Sequence, residues 1–75
     1  MNKQRRQHIK KNIDALEAIK SNLECILSEE EDYFNNMPEN LQGSMRGEDS
    51  EEAIDVLSEM IDIIDECIDG LSDII

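Results

Sequence analysis

Apolar residues recur along the first half of the chain at steps of three and four. Ile9, Ile13, Leu16, Leu23 and Leu27 form the row, and Phe34 extends it. This is the period of an amphipathic helix, and it predicts one over about residues 2–34. Ile19 and Ile26 widen the stripe on one flank. Lys20 and Glu30 fall on the row itself. Each is expected to lay its aliphatic stem on the core and hold its charge in water.

The second half repeats more regularly. From Ile54 the chain reads IDVLSEM, IDIIDEC, IDGLSDI and a final Ile75. The tandem seven-residue repeat predicts a helix over about residues 50–75. Ala53, Leu57, Met60, Ile64, Cys67, Leu71 and Ile74 alternate four and three, as coiled-coil seam positions do. Ile54, Ile61, Ile68 and Ile75 run beside that expected seam, and Val56 and Ile63 flank its other side. A two-helix seam needs only two apolar positions in seven. This helix offers about four, so it is expected to touch more than one other helix.

Between the two lies NNMPENLQGSMRGEDS, residues 35–50. Pro38 suits the first turn of a new helix, and a short helical turn is expected over residues 38–42. Gly43 and Gly47 are candidate left-handed caps. Asp49 followed by Glu52 fits a capping box that starts the last helix. Two helices on a short connector lie antiparallel. The expected register sets Ile9 by Ile74, Ile13 by Leu71, Leu16 by Cys67, Leu23 by Met60 and Leu27 by Leu57. The fold class is therefore all-α: one domain, residues 1–75, an antiparallel helical hairpin. The wide apolar face of the last helix predicts pairing of two copies into a four-helix bundle. Ala15, Ala18, Asn22 and Cys25 form a small-residue stripe where another helix could come close.

Charge changes the picture next. Seven Lys and Arg stand against nineteen Asp and Glu, a net charge of −12. Residues 1–11 hold Lys3, Arg5, Arg6, Lys10 and Lys11 and no acid; after Gly47 come eleven acids and no base. In the hairpin the basic start is expected beside Asp69, Asp73 and the chain-end carboxylate, where it suits the helix dipole. So acidic a surface repels nucleic acid and anionic membrane and attracts basic proteins. No apolar run reaches the ~18 residues of a membrane span. Asp14, Glu17 and Lys20 interrupt any export-signal core after the basic start. With two cysteines that do not face each other, about 13 Å apart along the expected axis, a reducing cytoplasm is expected.

Two surfaces stand out as candidate partner sites. Asp55, Glu59, Asp62, Glu66, Asp69 and Asp73 climb the outer face of the last helix, with Asp65 beside them. Their rise averages ~5 Å per carboxylate, comparable with the ~3.4 Å between phosphates along a DNA strand. The column reads either as a solvated face or as a nucleic-acid mimic. The absence of interspersed bases favours keeping the second reading, since stability alone would select ion pairs. The other surface is the hairpin tip, where Tyr33, Phe34, Met37, Leu41 and Met45 gather with Arg46. It reads either as a small core closing the bundle or as a partner-binding patch. Glu29, Glu30, Glu31 and Asp32 match no calcium loop. No metal or cofactor is expected, and Cys25 and Cys67 are expected in the core. No nucleophile–base pair or phosphate loop is present, so no enzymatic activity is expected.

The stretch EDYFNNMPENLQGSMRG, residues 31–47, followed by EEAIDVL, residues 51–57, resembles a group of uncharacterised small acidic helical proteins of Firmicutes phages and mobile elements. The resemblance covers roughly residues 29–75. It implies a two-helix hairpin and a mobile-element origin, and it carries no activity. Met45 stands where a charged residue is expected in relatives. The expectation is a non-enzymatic acidic module that binds a protein partner and blocks the basic, nucleic-acid-binding surface of a host enzyme. The alternative is a self-associating structural or adaptor protein.

Overall fold

Asn2 opens the first helix: its side-chain oxygen accepts a hydrogen bond from the Arg5 backbone N–H at 2.8 Å. The computed structural model describes residues 1–75. Three helices follow one another, α1 over Lys3–Asn35, α2 over Glu39–Gln42 and α3 over Met45–Asp73. The two long helices pack antiparallel into a rod with extents of 58 × 15 × 13 Å.

The α1 row packs as its spacing predicts. Ile13 is buried, while Ile9, Leu16, Leu23, Leu27 and Phe34 are half-buried on the same side. Lys20 and Glu30 stay half-exposed on the row, and each also finds a polar partner. Each crosses the seam to α3. The Lys20 ammonium donates to Asp65 at 2.6 Å, and Glu30 accepts from the buried Ser50 hydroxyl at 2.8 Å. A charge placed on an apolar row is cheapest where a polar group on the facing helix receives it.

α3 differs from expectation in its rotation. Its buried and half-buried positions are Gly47, Ser50, Ala53, Ile54, Leu57, Ile61, Ile64, Asp65, Ile68 and Leu71. Ile61 and Ile68 are its deepest apolar side chains, whereas Met60, Cys67 and Ile74 are exposed. The seam thus runs one residue further along than the row through Met60 and Cys67. Both rows share Leu57, Ile64 and Leu71 and both alternate three and four. The choice between them is made at the tip. α3 begins at Met45, well before Asp49, and the packed row extends back through Ser50 and Gly47, both buried. The other row would extend back to Arg46 and put a guanidinium inside. The axial register stays within one helical turn of expectation, as the Lys20–Asp65 and Glu30–Ser50 bonds require.

The connector is built by capping. Pro38 precedes α2, and its carbonyl accepts from Leu41 and Gln42. The Gln42 side-chain amide donates to the Phe34 and Met37 carbonyls, both at 3.2 Å, closing the open end of α1. Ser44 caps α3, accepting from Gly47 N–H at 3.5 Å, and its hydroxyl donates back to Leu41. The N-cap of α3 is therefore Ser44 and not Asp49, and with Gly47 at the third helical position no reciprocal capping box forms. Neither Gly43 nor Gly47 has a positive φ, so neither is a left-handed cap. Gly47 is required for a different reason: a Cβ there would stand 2.0 Å from the Gln42 carbonyl oxygen. The backbones of α2 and α3 touch at that point.

The basic start behaves differently from expectation as well. The ion pairs are Lys10–Asp14 at 2.9 Å within α1 and Lys20–Asp65 across the hairpin. Lys3, Arg5, Arg6 and Lys11 make no ion pair with α3; the first three lie where α1 runs past its end, while Lys11 lies beside that end unpaired. Cys25 and Cys67 are free and exposed rather than core.

Candidate functional site

The hairpin has two unlike flanks, and helical geometry assigns each residue to one of them. On one flank Glu17 and Glu24 share a groove with Asp65 and Asp69, of about 370 Å³. Nearer the tip on the same flank, Glu31 shares a second groove of about 270 Å³ with Glu51 and Asp55. Beyond these grooves rises the α3 column. Asp55, Glu59, Asp62, Glu66, Asp69 and Asp73 are all exposed. The acidic surface therefore wraps from the outer face of α3 across to α1. Glu17, Glu24 and Glu31 recur every seven residues beside the α1 row. That spacing is the signal that could have joined them to the site from sequence.

Asp65 is set apart from the column by its bond to Lys20. This hydrogen bond raises the Lys20 pKa above its ordinary value; partial desolvation opposes the rise, and the charges of Asp65, Glu24 and Glu17 add to it. Asp65 is thus partly committed within the protomer, and the outward column is the other six residues.

The opposite flank is apolar. On α1 it carries Ile19, Ile26 and Tyr33, each about half exposed; on α3 it carries Val56, Met60, Ile63 and Ile74, exposed to a similar degree. Ala53, Cys67 and Gly70 fill the α3 stripe between them at three–four spacing, and a Cβ added at Gly70 would meet nothing within 4 Å. α3 therefore has two apolar rows, one against α1 and one open. The broad apolar face read from the sequence is present; its open part is the Met60 and Ile63 side, not the Ile54, Ile61 and Ile68 side.

The tip divides its residues between packing and exposure. Met37 is buried and Phe34 half-buried, so these two close the hairpin. Tyr33, Leu41 and Arg46 line a shallow pocket of about 350 Å³ with Met37 and Pro38. Met45 points away, 80% exposed. No group of three or more His, Cys, Asp or Glu side chains is gathered to hold a metal ion. No helix is long and apolar enough to cross a membrane.

No protein-family model, curated protein or solved structure matches the chain.

Proposed function

We propose that this chain is a non-enzymatic acidic protein-binding module, and that it blocks the basic, nucleic-acid-binding surface of a host enzyme. The acidic flank carries this reading. Six carboxylates stand in one exposed column, with Glu17, Glu24, Glu31 and Glu51 extending it across the grooves. α3 holds no base after Arg46 to interrupt the field. A surface of one sign steers an oppositely charged partner and competes for the groove that would hold phosphates. If the resemblance of residues 29–75 to small proteins of phages and mobile elements reflects origin, the enzyme blocked would be one of host defence, met in the cytoplasm.

The open apolar flank favours a companion property, pairing of two copies into a four-helix bundle. It also supports the second reading, a self-associating structural or adaptor protein whose specificity lies in the tip pocket of Tyr33, Leu41 and Arg46.

The test is capture from a Firmicutes lysate at about 100 mM and about 500 mM salt, followed by identification of the bound enzyme and competition with duplex DNA. The blocker reading expects a nucleic-acid enzyme that is lost at high salt, displaced by DNA and not held by an Asp55→Lys, Asp62→Lys, Asp69→Lys variant. Undiminished binding by that variant, with loss on Leu41→Asp, overturns it in favour of the adaptor.

A further inference from the structure

We propose that two copies pair antiparallel through the Ile26–Ile63 flank, with the basic N-terminal overhang of each copy clasping the acidic tip of the other. The proposal rests on the self-association inferred above and adds its face and its order.

The face follows from what the protomer leaves uncovered. Among the apolar side chains only Ile13, Met37, Ile61 and Ile68 are buried, and no side chain is buried completely. Meanwhile Ile19, Ile26, Val56, Met60 and Ile63 stand 41–49% exposed on one flank. The stripe runs about 30 Å along the rod and has the three–four period that lets helices interlock. Two such faces laid together are comparable in area with the ~1,000 Å² that a specific interface needs. A second copy is the occupant whose stripe has matching length, period and width. The pairing also turns both acidic flanks outward, away from each other, which a chain of net charge −12 needs in order to self-associate.

The order follows from the charges at the two ends of the rod, of which Arg5 shares the heptad position of Ile19 and Ile26. Lys3, Arg5 and Arg6 lie on the part of α1 that overhangs α3, and no carboxylate of the protomer pairs with them. At the tip, Asp49 continues the α3 stripe, backed by Glu48 and Glu52, and Glu29 stands at the edge of the α1 stripe between Ile26 and Tyr33. A twofold axis through the middle of the stripe sets Arg5 of each copy close to the level of Asp49 of the other. A parallel pair would set bases against bases and acids against acids. The antiparallel pair also corrects a fault of the lone hairpin, since bases at the start of α1 and acids at its end both oppose the helix dipole.

The experiment combines sedimentation with a distance measurement. Wild type at about 100 μM is expected to sediment as a dimer. Ile26→Lys with Ile63→Lys halves the mass, while Asp62→Lys on the opposite flank does not. Arg5→Glu and Asp49→Arg each weaken the dimer about fivefold, and their combination restores it. These two exposed positions make no side-chain bond within the protomer, so their effect is not one of unfolding. Spin labels on Gln4→Cys, in a Cys25→Ser, Cys67→Ala background, are expected about 50 Å apart. A dimer with labels within about 25 Å overturns the antiparallel order alone. A dimer that survives the double lysine variant overturns the face. A wild-type monomer overturns the pairing itself, while the acidic-flank reading stands or falls by its own capture experiment.

Discussion

The closed tip and the long shaft of the hairpin are built on different principles. At the tip three chain segments meet, and Met37, Gly47 and Ser50 are all buried within it. Its polar groups are engaged: Gln42 holds the α1 carbonyls, Ser44 caps α3 and Ser50 binds Glu30. Along the shaft two helices meet at one seam, and most seam residues are only half-buried. Two cylinders touch along a line, so each seam residue keeps one side in solvent. A third segment is what closes the packing. The tip therefore fixes geometry, while the shaft leaves apolar surface open.

The comparison is broken most severely at Gly47. A methyl group there collides with backbone rather than with a flexible side chain, so α2 and α3 must separate. Gly47→Ala is expected to destabilise the hairpin by roughly 3 kcal/mol, read by urea unfolding at fixed protein concentration. An unchanged midpoint would mean that the tip is not close-packed. Ile61→Ala, at a buried level of the shaft, is expected to cost about 2 kcal/mol, the low end for such a truncation because the residues around it are only half-buried and can close in. If Ile61→Ala proved the more damaging of the two, the shaft rather than the tip would fix the fold.

Smaller effects sharpen the capping assignment. Ser44→Ala is expected to cost about 1 kcal/mol, and Asp49→Ala clearly less, in thermal melts. The opposite ranking would move the start of α3 back to Asp49. The smallest effect concerns Lys20. Its folded-state pKa lies above the ordinary value of 10.5. Its bond to Asp65 therefore contributes fully below that pH, and the contribution is lost as pH rises through the higher folded value. Melts of wild type and Lys20→Met between about pH 8 and pH 11.5 should show the wild type losing more stability at the alkaline end. Parallel curves would show that the pair contributes nothing.

Several features were legible in the residues themselves. The α1 row from Ile9 to Phe34, the proline-started turn before Gln42 and the antiparallel hairpin all follow from local spacing and backbone chemistry, whereas the expected pairs through Met60, Cys67 and Ile74 are not formed because those residues lie off the seam. So does the acidic column of α3, because residues four and three apart must share a helix face. The roles of Gln42, Ser44 and Gly47 were not legible, although all three lie in the segment that first looked distinctive. Each acts on a partner several residues away, and that partner is known only once the chain has turned.

The rotation of α3 marks the boundary most clearly. Its repeat is apolar at enough positions for two seams, one through Met60 and Cys67 and one through Ile61 and Ile68. Periodicity by itself determined that α3 is a helix with a broad apolar face and an acidic back. Only the tertiary structure decided which apolar row turns inward, because the decision is made where Gly47 meets the Gln42 backbone and Ser50 meets Glu30. Those two contacts set the phase of the whole helix, and with it which isoleucines are packed and which remain open.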